Sequence, residues 1–171
     1  MKNLTLKKIS EICNGKLYAD KRIENIEISS ITTDSRKVEK DCMFVAIKGE
    51  RVDGNKFING AYEDGAIVCL SEDKPDKNGI SISEKNGYIV VKSCFQALKD
   101  IAEYYREVMN TKIVGITGSV GKTSTKEMLA AVMSEKFNTL KTQGNFNNEV
   151  GVPLTLFRLS EEHELAIVEM A

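Results

Sequence analysis

The residues best equipped for chemistry lie in one stretch, Lys112-Ile113-Val114-Gly115-Ile116-Thr117-Gly118-Ser119-Val120-Gly121-Lys122-Thr123-Ser124-Thr125. The residues predict a buried strand running into a turn that holds Gly118 and Gly121, and a helix signal begins at Lys122-Thr123-Ser124. Glycines let successive backbone N–H groups curl around an anion, and a helix start adds unpaired donors and partial positive charge. Such a loop suits a phosphate chain. Gly118, Ser119, Val120 and Gly121, with Lys122, Thr123 and Ser124, would wrap it; Lys122 would reach the outer phosphates and the Thr123 hydroxyl would ligate Mg2+. The strict GxxxxGK[ST] pattern asks for glycine at 116, where this chain has Ile116, so the chain carries the shorter GxxGK[ST] form. The strand before it and the helix after it supply the context that a short match needs.

Magnesium at such a loop needs an acidic partner from a neighbouring strand. Glu164-Leu165-Ala166-Ile167-Val168-Glu169-Met170 reads as an apolar strand ending in Glu169. A carboxylate at the C-terminal end of a parallel strand faces the crevice where ligands sit. Thr123 and Glu169 are therefore the expected metal pair. A second unusual run, Thr142 to Leu156, places Asn145, Asn147 and Asn148 within four residues. Amides offer donors and acceptors without charge, suited to sugar, phosphate or peptide groups, but asparagine also tolerates left-handed turns, and spacing alone leaves both readings open. Earlier in the chain, Thr32-Thr33-Asp34-Ser35-Arg36 and Lys48-Gly49-Glu50-Arg51-Val52-Asp53-Gly54-Asn55 are polar clusters next to apolar segments. Arg36 and Arg51 suit a diphosphate because guanidinium presents a planar fork of donors, though plain turns fit the spacing as well.

The elements that must position these groups change in pattern along the chain. Apolar spacing predicts a helix over 5–13 with Thr5 as N-cap and Gly15 as its stop, strands over 43–47 and 66–70, and a short helix over 57–64 closed by Gly65. The polar run 71–79 reads as a surface loop and 88–91 as a strand. Phe95, Leu98, Ile101, Ala102, Tyr105 and Val108 then recur at helical spacing, giving a helix of about four turns. Strand signals at 112–117, 138–141 and 165–169 alternate with a helix over 123–135, and a loop over 142–148 leads into 153–159. Strands alternating with helices imply crossover units and a parallel sheet. The fold expected is α/β, with a small domain over 1–93 followed by the start of a P-loop-type parallel-sheet domain over 94–171.

Composition narrows the function classes. Lysine plus arginine (24) nearly balance aspartate plus glutamate (25), so there is no field to gather nucleic acid or anionic lipid. The four cysteines form no CxxC pair and His163 is the single histidine, which disfavours a Cys/His metal centre. Each cysteine sits in or beside an apolar run, as reduced core residues do. The first residues carry no apolar signal core and no run approaches a membrane span, so a soluble cytoplasmic protein is expected, with neither nucleic acid nor membrane as partner.

Taken together, these residues resemble the Mur ligase family along the whole chain. The resemblance rests on TTDSRKV (32–38), FVAIKGERVDGNKFI (44–58), GITGSVGKTSTKEM (115–128), TQGNFNNEVGVPLTL (142–156) and IVEM (167–170). The family's own loop is the short GxxGK[ST] form, and the asparagine block is similar to the branch that adds D-alanyl-D-alanine. What this resemblance implies is an ATP-dependent ligase of peptidoglycan precursor synthesis, with UDP-N-acetylmuramoyl-tripeptide and D-alanyl-D-alanine as substrates. ATP would phosphorylate the terminal carboxylate of the peptide, and the amine of D-alanyl-D-alanine would attack the acyl phosphate. It maps Gly118 to Ser124 to ATP, Lys122 and Glu169 to catalysis, and Thr123 and Glu169 to Mg2+. Ser35, Arg36, Glu50, Arg51 and Val52 map to the UDP side, and Asn147 and Asn148 to the muropeptide. Asn55 stands where the family commonly has histidine, and Ala171 where a glycine often follows. The family's further C-terminal ligase domain has no counterpart in these residues, so the chain is expected to be a fragment without turnover of its own. Another Mur-type ligase, adding a diamino acid, and a non-catalytic P-loop nucleotide-binding module are the alternatives.

Overall fold

The computed structural model describes residues 1–49 and 52–171. The chain divides into two units, Met1–Ile101 and Ala102–Ala171, and the division falls inside the helix that follows Ser93.

In the first unit, α1 (Leu6–Ile12) begins at Thr5, whose hydroxyl accepts a hydrogen bond from the Lys8 N–H at 3.1 Å. The left-handed residue past its end is Asn14 (φ 48°) rather than Gly15. Gly15 is needed for space: a Cβ there would stand 2.8 Å from Ile89 Cγ2 and 3.0 Å from Val90 O. β1 (Lys16–Tyr18), β2 (Ile31–Thr32) and β3 (Met43–Val45) follow, then α2 (Ile58–Glu63), β4 (Val68–Ser71) and β5 (Gly87–Val90). They form one sheet in the order β1-β5-β4-β3-β2, parallel except for β1, which runs antiparallel to β5. Every residue of β3 and β4 is buried, as the unbroken apolar runs of a parallel sheet require.

The polar run expected as a surface loop is more ordered than its composition implies. Ser71 is the last residue of β4 and fully buried, and 75–78 form a 3-10 turn whose Pro75 is also buried. Buried polar groups need partners, and this run supplies them. Ser71 Oγ donates to Asn55 Oδ1 at 2.6 Å, Asn78 Nδ2 donates to Tyr88 Oη at 2.9 Å, and Tyr88 Oη donates to the Asp73 carbonyl at 2.9 Å. Asn55 thus ties the turn before α2 to the end of β4.

The helix α3 (Cys94–Met109) leads into the second unit, which contains β6 (Lys112–Ile116), α4 (Lys122–Ser134), β7 (Thr139–Lys141), α5 (Gly151–Leu156) and β8 (Leu165–Glu169). Its three strands are all parallel, in the order β6-β8-β7, so the last strand slots between the two that α4 connects. Central placement buries all five residues of β8. Ala130, Leu165 and Ile167 form the core beneath α4, with Leu129, Met133 and Phe137 packed against them. Tyr105 of α3 donates from its hydroxyl to the Leu159 carbonyl at 2.9 Å. No helix among the described residues is long and apolar enough to cross a membrane.

Candidate phosphate and metal site

The strand register builds the site. β6 and β8 run parallel with Ile116 opposite Glu169, so the chain leaves β6 into the glycine loop beside the carboxylate that ends β8. Met170 N–H donates to the Ile116 carbonyl at 2.9 Å and fixes that juxtaposition. Gly121 precedes α4 in left-handed backbone (φ 76°), a conformation that costs an L side chain energy. No side chain caps α4, so its first N–H groups face the loop unclaimed by a side chain, the arrangement that draws anions. Lys122 Nζ donates to the Gly118 carbonyl at 2.7 Å, which lays the ammonium across the loop's mouth. A cleft of about 310 Å³ opens there, lined by Ser119, Val120, Gly121, Lys122, Thr123 and Ser124 together with Asn145, Asn147 and Glu169. The structure therefore brings the expected phosphate loop and the expected metal carboxylate to one cleft.

Glu169 is 1% exposed. Its Oε1 accepts hydrogen bonds from Asn147 Nδ2 at 2.8 Å and Thr123 Oγ1 at 3.3 Å, and its backbone N–H donates to Thr142 Oγ1 at 2.9 Å. Its Oε2 is buried and accepts no hydrogen bond, while Lys126 Nζ stands 3.6 Å away. The Asn147 hydrogen bond, then Thr123 and the Lys126 charge, hold the carboxyl below its ordinary range despite burial, so it is ionised at neutral pH. An octahedral Mg2+ with oxygens at about 2.0–2.1 Å places adjacent ligands roughly 3 Å apart. Thr123 Oγ1 and Glu169 Oε1, at 3.3 Å, are spaced for such a pair. The residues fit the metal.

Within this structure the two asparagines expected at the muropeptide have local partners. Asn147 Nδ2 is on Glu169, and its carbonyl accepts from the Ala171 N–H at 2.8 Å. Asn148 Oδ1 accepts from the Val150 and Gly151 N–H groups at 3.2 and 2.8 Å, closing the turn into α5. Two participants escaped the sequence reading. Lys126, 1% exposed, lies on α4 three residues after Thr123 and four after Lys122, a spacing that puts all three on one helix face. Thr142, fully buried, anchors Glu169 through its hydroxyl. Helical spacing could have revealed Lys126; nothing local marks Thr142.

In the first unit, Ser35 and Arg36 line a separate cleft of about 260 Å³ with Lys56, Phe57, Gly60 and Asp64. Arg36 is 87% exposed and clamped by Asp34, its Nε 2.9 Å from Oδ1 and its second nitrogen 2.8 Å from Oδ2. Phe57, 42% exposed, offers a flat apolar face beside them. Val52 is exposed and its carbonyl accepts from the Gly49 N–H at 3.0 Å; Glu50 and Arg51 lie outside the described residues. The thiols offer no nucleophile, since burial pushes Cys69 and Cys94 up to about 12 and Cys13 to about 11.

The Arg36 side-chain hydrogen bonds lower the Asp34 carboxyl from 3.8 to about 2. A value depressed by folding adds stability above the ordinary pKa, and that stability is lost as pH falls from 3.8 towards 2. Exposure keeps the contribution small. We expect Asp34→Asn to flatten part of the acid-side decline in urea-denaturation stability between about pH 4 and 2. An identical slope in the variant would show that the pair does not persist in solution.

Two family descriptions match the chain: "Mur ligase family, catalytic domain" over residues 27–106 and "Mur ligase middle domain" over residues 116–171. The UDP-N-acetylmuramoyl-tripeptide–D-alanyl-D-alanine ligase of Bacillus subtilis is 38% identical over 97% of this chain and 35% of its own length. The enzyme of the same name from Escherichia coli is 39% identical over 99% of this chain and 35% of its own. A crystal structure of MurF from Acinetobacter baumannii matches with a TM-score of 0.85 at 36% identity, covering 98% of this chain and 35% of that one. MurF ligase from Thermotoga maritima, solved in complex with ADP, matches with a TM-score of 0.71 at 34% identity over 83% of this chain and 32% of that one. The chain spans about a third of the length of these relatives.

Proposed function

We propose that this chain, which belongs to the Mur ligase family, forms the nucleotide-sugar-binding and ATP-phosphate-binding parts of a ligase that joins D-alanyl-D-alanine to UDP-N-acetylmuramoyl-tripeptide. The observation that carries the reading is the Thr123–Glu169 pair at the mouth of the glycine loop. In the reaction, a carboxylate oxygen of the tripeptide attacks the γ-phosphorus of ATP and ADP departs. The amine of D-alanyl-D-alanine then attacks the acyl carbon, loses a proton, and expels phosphate as the amide forms.

This chain's residues serve the first half of that sequence. Donors of the loop and of the first turn of α4 bind the phosphates, and Lys122 neutralises charge that grows on the transferred group. Thr123 and Glu169 would hold Mg2+, which supplies Lewis-acid neutralisation of phosphate oxygens when bound. Asn147 and Thr142 keep the Glu169 carboxylate aimed at Thr123. The first-unit cleft, with Arg36 and the Phe57 face, takes the UDP moiety, and Arg51, outside the described residues, is assigned to the same substrate by its guanidinium chemistry. Domain limits of 1–93 and 94–171 follow the same division of labour, the first holding the muropeptide and the second the nucleotide.

Calorimetric titration of UDP-N-acetylmuramoyl-tripeptide tests the substrate side. Losing one charged contact to a diphosphate costs about 1.5–3 kcal/mol, so Arg36→Ala and Arg51→Ala should each weaken binding roughly 10-fold to 150-fold. Binding that is indifferent to both removes the two arginines from the site, and absence of binding by the unaltered chain overturns the substrate assignment.

A further inference from the structure

A lysine buried to 1% exposure in a small α/β unit demands an explanation, because such a side chain is almost never fully buried unless paired. Lys126 is paired twice. Its Nζ lies 3.1 Å from Glu127 Oε1 and 3.6 Å from Glu169 Oε2. Glu127 is in turn paired with Lys141, the last residue of β7. The result is a line of alternating charges, Lys141, Glu127, Lys126 and Glu169, running from the surface to the end of β8. Two features set its direction. Glu127 draws the ammonium closer than Glu169 does, so Oε2 feels the positive charge without being consumed by a hydrogen bond. Oε1, on the other side of the same carboxylate, is aimed at Thr123 and Asn147.

We infer that Lys126 is a positioning residue for the metal-side carboxylate: it anchors Glu169 through Oε2, keeps Oε1 turned towards Thr123, and so presets the magnesium pair before metal and nucleotide arrive. The inference rests on the reading of Thr123 and Glu169 as that pair. Lys126 does not line the cleft at the glycine loop. A helix residue packed against β8 merely to tether it would act on stability alone, whereas a positioning residue must act on the metal dependence of binding. Partners of a metal ligand in its outer shell are worth about 10-fold to 100-fold in metal affinity.

The experiment compares ATP affinity in Mg2+ and in EDTA for the whole chain, so that the ratio isolates the metal's contribution. In Lys126→Met the ratio should fall about 10-fold or more, while affinity in EDTA stays within about twofold, and Lys126→Arg, which restores a cation, should recover most of it. A folded Lys126→Met with the ratio of the unaltered chain overturns the proposal. Should that variant fail to fold, Lys126→Gln decides, because it keeps a polar donor in the buried position and removes the charge that holds Oε2, and the ratio should again drop at least about threefold. An unchanged ratio in a folded Lys126→Gln overturns the proposal equally. If the unaltered chain binds no ATP in either buffer, the reading of the loop itself fails, a result that no variant effect could imitate.

Discussion

Lys122→Ala is expected to weaken Mg·ATP binding by about 100-fold while leaving the thermal midpoint within about 2 °C of the unaltered chain. The two halves of that expectation come from the same geometry. Lys122 is the first residue of α4 and its one described hydrogen bond goes to the Gly118 carbonyl at 2.7 Å, an exposed contact whose loss costs little. Towards a triphosphate, the same ammonium sits where the loop's N–H groups and the start of the helix already favour negative charge. A charge-assisted hydrogen bond there contributes about 1.5–3 kcal/mol, and backbone donors cannot replace a full positive charge. Met128→Ala supplies the comparison: Met128 is on the same helix, 72% exposed, and away from the cleft, so its affinity should change less than about twofold. Isothermal titration with ATP in Mg2+ reads both. A loss under about threefold in Lys122→Ala would mean that the ammonium does not face the phosphates, and the loop would then be a turn and nothing more.

The loop and Glu169 were legible in the sequence because each is written locally. Glycines, a lysine and a hydroxyl residue in seven consecutive positions need only a strand before and a helix after to become a phosphate cradle. An apolar run ending in glutamate needs only parallel pairing to point it into the crevice. The parallel order β6-β8-β7 that joins them is visible only in three dimensions, and so are the consequences of it. Burial of Lys126 depends on β8 lying beneath α4, and the Thr142 hydroxyl finds the Glu169 N–H only because β7 pairs with β8. β1 and β2 left no signal for a different reason: one exposed and two half-buried residues in β1, and two buried ones in β2, are too few for any period to show. At 71–79 the polar composition misled, because a buried Ser71 looks like a loop serine until Asn55, far away in sequence, is seen to accept its proton. In the first-unit cleft the resemblance points to Ser35 and Arg36 but not to the aromatic wall: Phe57, where spacing predicts the start of a helix, is the last residue of a 3-10 turn.

Gly151→Ala should destabilise the chain by about 3 kcal/mol, lowering its thermal midpoint by roughly 6–12 °C, and should also weaken Mg·ATP binding although residue 151 lines no part of the cleft at the glycine loop. The reason is space rather than backbone conformation, since Gly151 is not among the residues with positive φ. A Cβ at this position would stand 2.4 Å from both Cα and C of Phe146 and 2.7 Å from its carbonyl oxygen. These are backbone atoms, which cannot swing aside as a side chain could. Either α5 or the asparagine loop must move. The helix is held by buried Pro153, Thr155 and Leu156, and Thr155 Oγ1 donates to the Gly151 carbonyl itself at 2.9 Å. The loop is the softer side, with Gln143, Gly144, Asn145 and Phe146 all exposed. Displacing Phe146 shifts its neighbour Asn147, the donor that keeps Glu169 Oε1 beside Thr123, so strain at the helix start reaches the proposed metal pair through one residue. Gly60→Ala is the matched contrast: nothing lies within 4 Å of its Cβ position, it sits inside α2, and exchanging glycine for alanine there should raise stability by roughly 0.5–1 kcal/mol. Differential scanning calorimetry of both variants, followed by ATP titration, separates the effects. A Gly151→Ala chain that melts with the unaltered one would place the Phe146 backbone elsewhere, while a destabilised chain with full Mg·ATP affinity would show that Asn147 holds Glu169 independently of the turn that carries it.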